Sequence, residues 1–233
     1  MQFSFTLGDN PPLALIREKL LSVFGPQKEA FDNDPLTQLV AAMLSSLTYG
    51  DVAQNAFERM TRRYPAWRLL QDADPKEIEA IIRPVTHADV KAKFIPLALR
   101  RLCAWRGEYD LFFLDDFDEE SAMQGLKSLP GVGAKIAATT LNFSALHKRT
   151  LPVDTHLLRV GKRLGLIPEN ADYEDGYEFY MRLVPDGWNA DAVFEIHWLL
   201  KYHGQRTCKV DAPICGHCPM LDFCPQKNVQ RIA

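Results

Sequence analysis

The chain has 233 residues, 47% of them hydrophobic and 24% charged. That is the composition of an ordinary globular protein of one large or two small domains, and it excludes disorder as a global description. The formal net charge of −3 stands against the basic excess usual in a nucleic-acid binder, so the distribution of charge along the chain has to answer that objection.

The opening segment MQFSFTLGDN has no basic patch followed by an apolar stretch and does not read as a secretory signal. No apolar run approaches the roughly 18 residues of a transmembrane helix. Asp34-Pro35 is a helix start, an N-cap with proline at the first helical position, and the following run sets Leu39, Val40, Met43, Leu44 and Leu47 at helical spacing. Val90, Phe94, Leu97 and Leu102 repeat the pattern, and Tyr180, Leu183, Val193, Ile196 and Leu199 mark two further helices. Tyr64-Pro65, Asp74-Pro75, Ile167-Pro168 and Asp186-Gly187 punctuate them as turns. Nothing alternates like a strand, so an all-α fold is expected, with residues from Gln226 to Ala233 as a loosely held tail.

Charge is segregated. Asp110 to Glu120 carries six acids and no Lys or Arg, whereas His147 to Pro168 carries Lys148, Arg149, Arg159, Lys162 and Arg163 against the single acid Asp154. The ordinary reading of each is a solvated helix face. A net negative chain can nonetheless present a basic face, and the second stretch is the candidate.

Leu129-Pro130-Gly131-Val132-Gly133-Ala134-Lys135 lies between two helical stretches, Ser121 to Ser128 and Ile136 to Leu146. Its glycines permit a tight turn with positive φ, and the amides that open the next helix form an anion site suited to a phosphate without any basic side chain. Lys135 falls in the first turn of that helix, where the helix dipole disfavours an ammonium. A deprotonated lysine is a nucleophile that can form a Schiff base, although most lysines are merely solvated. Asp154, in Leu151-Pro152-Val153-Asp154-Thr155-His156, reads as an N-cap for the helix that continues through Leu158, Val160 and Leu164. Capping does not exclude a catalytic carboxylate.

Five cysteines occur, four of them between Cys208 and Cys224 as C-x6-C-x2-C-x5-C, with Cys103 alone in an apolar stretch as a core thiol. Such usage fits a reduced intracellular chain with one metal or cluster site better than a disulfide framework. Structural zinc commonly takes two close pairs and here only Cys215 and Cys218 form one; iron–sulfur clusters tolerate more varied spacing. Spacing alone leaves both open.

LPGVGAK, PVDTHLLRV and the cysteine loop stand in the order and close to the spacing of endonuclease III, and the chain resembles that branch of the helix-hairpin-helix (HhH-GPD) superfamily of DNA glycosylases from about Pro35 to Cys224. Met43-Leu44-Ser45 and the run from Trp198 to His203-Gly204 add to the match. The resemblance implies two all-α domains flanking a DNA-binding cleft: a six-helix barrel with the helix-hairpin-helix at 31–147, and a discontinuous domain of 1–30 and 148–233 bearing the iron–sulfur loop. It implies a 4Fe–4S cluster on Cys208, Cys215, Cys218 and Cys224. It further implies a bifunctional glycosylase and abasic-site (AP) lyase of base excision repair for oxidised pyrimidines. Lys135 would be the Schiff-base nucleophile and Asp154 the assisting carboxylate, acting on a nucleotide flipped from the stack. The partner implied is double-stranded DNA with a damaged base or abasic site, bound by a cytoplasmic monomer, nucleoid-associated in a prokaryote, with no membrane partner. Related adenine glycosylases lack the lysine and carry an acid in the early helix; Ala42-Met43-Leu44-Ser45 has none, which favours the strand-cutting type.

Departures from the family pattern fall where lesions are read. Leu47 follows Leu44-Ser45-Ser46 where the family has Gln, and an extra residue precedes Asp51 in Thr48-Tyr49-Gly50. Val85-Thr86-His87-Ala88 replaces an Ile-Gly wedge segment before the better matched Lys91-Ala92. The candidate DNA contacts are therefore Leu47, His87, the turn Gly131, Val132 and Gly133, His156 beside Asp154, and Lys209 in a cysteine loop that is less basic than the family's. The changed residues leave room for an AP lyase or a DNA-structure-binding protein with weak or altered base excision.

Overall fold

A computed structural model describes residues 12–29 and 31–226. The opening segment, and the expected tail apart from Gln226, lie outside the described residues. Among the described residues there are eleven α-helices and no strand. By internal contacts the chain divides into two units: residues 31–148, and the residues before 31 together with those from Arg149 onward.

The central unit holds α2 (Pro35–Ser45), α3 (Gly50–Arg63), α4 (Trp67–Gln71), α5 (Pro75–Ile82), α6 (Ala88–Arg106), α7 (Glu119–Lys127) and α8 (Ala134–Asn142). Aspartates start three of these helices: Asp34 Oδ1 accepts from the Thr37 amide at 2.8 Å, Asp74 from Lys76 at 2.9 Å and Asp118 from Ser121 at 2.7 Å. α8 is buried almost all round, apart from half-buried Lys135, and packs on α2 and α7, so it is the core helix of this unit. Two of its buried side chains bond to backbone within the unit: Thr140 Oγ1 donates to Ile136 O at 2.9 Å and Asn142 Nδ2 to Lys148 O at 2.8 Å.

The other unit holds α1 (Leu13–Phe24), α9 (Thr155–Leu164), α10 (Tyr173–Leu183), α11 (Ala190–Arg206) and a 3-10 turn at Cys215–His217. Leu13, Ile16 and Leu20 of α1 join Leu157, Val160, Val193, Ile196 and Leu199 in one core, on which Cys208, Cys218 and Cys224 also pack. Asp172 and Asp175 form a reciprocal capping box at the start of α10.

Four expectations are corrected. α2 stops at Ser45, so Leu47 leaves the buried face and is 60% exposed. On α6 the buried stripe is Lys91, Ala92, Ile95, Ala98, Leu99 and Leu102; Val90, Phe94 and Leu97 face outward. Cys103 is only partly buried. Finally, the basic stretch after His147 is mostly structural. Lys148 donates to Phe117 O at 2.8 Å, Arg149 to Pro185 O at 2.9 Å, Arg159 to Gly204 O at 2.8 Å and Arg163 to Val210 O at 2.8 Å. Cations held on backbone carbonyls in this way are not a free phosphate-binding face.

Candidate functional site

In the central unit, the turn between α7 and α8 places Gly131 at φ 79°, where a side chain would meet Phe94 Cβ at 2.7 Å. Glycine is required there on both counts. Gly133 is the N-cap of α8 and no side chain caps that helix start. Gly131 and Gly133 are exposed, whereas Val132 is buried and its amide donates to Leu129 O at 3.2 Å. Lys135 is half-buried in the first turn of α8, and its carbonyl accepts from Thr139 Oγ1 at 2.7 Å. The lysine thus sits at the positive end of a core helix.

Leu47 and His87 lie on two turns of the same unit, and both have φ 56°, the left-handed region that non-glycine residues rarely occupy. His87 is exposed and is the N-cap of α6. Tyr49, beside Leu47, is 85% exposed. Behind these turns Lys91 is 9% exposed, and its Nζ donates to Leu44 O at 2.7 Å, Ser46 O at 2.5 Å and Thr48 Oγ1 at 3.2 Å. Burial, with the charge of Lys135 adding to it, pushes Lys91 down to about 8.

In the other unit, Asp154 caps α9: its Oδ1 accepts from the His156 amide at 2.8 Å and the Leu157 amide at 3.0 Å. Burial alone would raise this carboxyl, but His197, the Leu157 amide, Lys201 and His156 together hold it below the ordinary value. Asp154 is therefore a carboxylate at neutral pH. His197 donates from Nδ1 to Pro152 O at 2.8 Å, which fixes its tautomer and braces the approach to the cap. Arg159 donates to His156 Nδ1 at 3.2 Å, which leaves the His156 proton on Nε2. Burial holds His156 below its usual value, with Arg159 and Lys201 adding to the effect against the pull of Asp154, so its ring is neutral. Gly204 closes on the same ring, since a Cβ there would stand 2.8 Å from His156 Cβ.

The four clustered cysteines line one small pocket together with Arg163, His203 and Ile214. Donors point at the sulfurs: Arg163 Nη1 to Cys208 at 3.5 Å and the Gln226 amide to Cys224 at 3.4 Å, with His203 Nε2 at 3.7 Å from Cys218. Burial, together with the neighbouring cysteines, pushes the Cys218 thiol up to about 11, a group that ionises only beside a metal cation. Among the described residues, no three His, Cys, Asp or Glu side chains converge closely enough to hold one ion. Lys209 is exposed at the rim, and its carbonyl accepts from Arg163.

The family model for HhH-GPD superfamily base excision DNA repair proteins matches residues 40–186. The chain belongs to that superfamily. Endonuclease III of Synechocystis is 30% identical over 194 residues, spanning 82% of this chain and 81% of its own length. Endonuclease III of Rickettsia felis is 29% identical over 92% of this chain and 96% of its own. A DNA glycosylase homologue of Arabidopsis thaliana is 32% identical over 82% of this chain, which spans 60% of that longer protein. A solved structure of a trapped endonuclease III–DNA covalent intermediate shares the fold, with a TM-score of 0.75 and 23% identity over 92% of this chain and 94% of that one. This HhH-GPD protein is thus a base excision repair DNA glycosylase with the endonuclease III fold.

Within the superfamily fold, the sequence-derived residues fall into two groups. Lys135, the glycine turn, Leu47 and His87 belong to the central unit; Asp154, His156, Lys209 and the cysteines belong to the other. Sequence reasoning passed over Lys91, whose signal was a lysine in register with Ile95, Leu99 and Leu102 on a buried stripe. Arg159 and Arg163, read from the sequence as part of a basic face, instead tie the cysteine loop to the helix capped by Asp154.

Proposed function

We propose that this glycosylase is bifunctional: it excises a damaged base, an oxidised pyrimidine by resemblance to endonuclease III, and then cuts the strand as an AP lyase. The observation that carries this reading is Lys135 in the first turn of an uncapped core helix. The positive end of a helix dipole disfavours an ammonium at such a position, and a lysine amine there is a nucleophile that can form a Schiff base. Double-stranded DNA is the partner, with its phosphate bound by the backbone at Gly131 and Gly133, the Val132 amide being engaged by Leu129 O at 3.2 Å.

Chemically, Lys135 Nζ bonds to C1′ of the flipped nucleotide as the C1′–N bond breaks, and the base leaves with the electron pair and gains a proton. The nitrogen then loses a proton and the sugar ring opens, leaving a Schiff base. Removal of a C2′ proton expels the 3′ phosphate. Asp154, ionised by its surroundings, is the carboxylate for the developing positive charge at C1′. Water finally hydrolyses the Schiff base and frees the lysine.

Cys208, Cys215, Cys218 and Cys224 fit a 4Fe–4S cluster. The four residues line a pocket rather than converge on a point, and N–H donors face the sulfurs of Cys208 and Cys224. When bound, the cluster would cross-link the loop that Arg159 and Arg163 join to α9. The reading is tested on duplexes with single oxidised, alkylated or mismatched bases, scoring base release separately from strand cutting. Release and cutting in step on oxidised pyrimidines is expected; release without cutting would refute the lyase assignment.

A further inference from the structure

We propose that Lys91 is the positioning residue of the lesion-probing face, a single side chain that locks the turn carrying Leu47 to the helix start carrying His87. This rests on the glycosylase reading above and adds to it which residue holds the probes in place. α2 ends at Ser45 with carbonyls that no further helical turn can satisfy, at the negative end of its dipole. Lys91 reaches them from a position 47 residues later in the sequence. Its ammonium has three protons, and three acceptors receive them: Leu44 O, Ser46 O and Thr48 Oγ1. The acceptors lie on both sides of Leu47, so the turn is pinned before and after the residue that is held at φ 56°.

The same residue anchors the second tip. The Lys91 amide donates to His87 O at 3.0 Å, the bond that starts α6. The Thr86 amide donates to Thr48 Oγ1 at 3.2 Å, the hydroxyl that also accepts from Lys91. The two left-handed residues therefore share one buried hub. Two such backbone positions persist only where the surroundings over-determine them, and they cluster at ligand-gripping sites. Leucine at one tip has no hydrogen-bonding group. It can fill the gap left by a flipped nucleotide but cannot read the opposite base by its edge, so its placement sets how well it fills.

The experiment measures affinity for a duplex containing a tetrahydrofuran abasic analogue and for the same duplex undamaged, in wild type, Lys91→Met, Leu47→Gly with His87→Gly, and the triple variant. Wild type favours the abasic analogue. Lys91→Met lowers that preference on the order of tenfold, the scale of one charge-assisted hydrogen bond. In the Leu47→Gly, His87→Gly background the same substitution changes it less than about twofold, since residues that act as a unit are not additive. A preference kept in Lys91→Met, or an equal loss in the glycine background, overturns the proposal. A lesion preference missing from the wild type overturns the glycosylase reading and takes the proposal with it. Should Lys91→Met not melt cooperatively, Thr48→Val removes the shared acceptor. It lowers the preference in the same direction, and an unchanged preference overturns the hub.

Discussion

Gly131→Ala tests the glycine turn with magnitudes that follow from its geometry. The backbone there has φ 79°, and an added methyl would lie 2.7 Å from Phe94 Cβ and 3.0 Å from Phe94 Cγ. The left-handed conformation costs alanine about 1 kcal/mol. Phe94 Cβ sits at the root of its side chain and cannot swing away, so α6 or the turn must shift, an overpacking cost of about 1–3 kcal/mol. The sum of about 2–4 kcal/mol corresponds to a fall in Tm of roughly 5–15 °C for a chain of this size. Thermal melting gives the stability loss, and titration of an abasic-analogue duplex gives the loss of affinity as the turn amides move. A Tm within about 1 °C of wild type together with unchanged DNA affinity would refute the claim that this turn needs glycine to present its backbone.

Further outcomes follow from charge and metal chemistry. Folded Lys91 gives up its proton near about 8, against 10.5 for an unperturbed lysine. Between those values the unfolded chain binds the extra proton, so this group makes folding more favourable as pH rises. The urea-unfolding free energy of wild type relative to Lys91→Met therefore increases from about pH 7.5 to about pH 9.5, and a flat difference contradicts the buried ammonium. Because four of the cations from Lys148 to Arg163 are held on backbone carbonyls, few remain for phosphates. The slope of log Kobs against log salt is expected near about −3, and a slope of about −9 would require roughly ten neutralised phosphates. Cys218→Ser lowers iron and sulfide content and the visible absorption of iron–sulfur charge transfer; stoichiometric zinc in the wild type would contradict the cluster.

The helix start at Asp34 was legible because an aspartate before a proline is a local signal, whereas Asp74-Pro75, read as a turn, proves to cap α5 in the same way. LPGVGAK and the cysteine spacing were legible for the same reason, since each is a short contiguous segment. Leu47 was misplaced because the apolar period runs past Ser45, while the chain turns there onto carbonyls held by a lysine from another helix. Lys91, Arg159 and Arg163 were opaque because their acceptors lie 43 to 49 residues away in sequence. A charge run reads as a solvated face until its partners are known. The acid stretch before the glycine turn shows the same limit, since Lys148 closes on its Phe117 and Asp115 carbonyls.

The most direct test of the central claim is borohydride trapping on a duplex with a single abasic site, followed by peptide mass mapping of the adduct. The proposed mechanism predicts one covalent complex, with the reduced sugar on Lys135 and none formed by Lys135→Ala. An adduct on another residue, or equal trapping by Lys135→Ala, would contradict the assignment of Lys135 as the nucleophile.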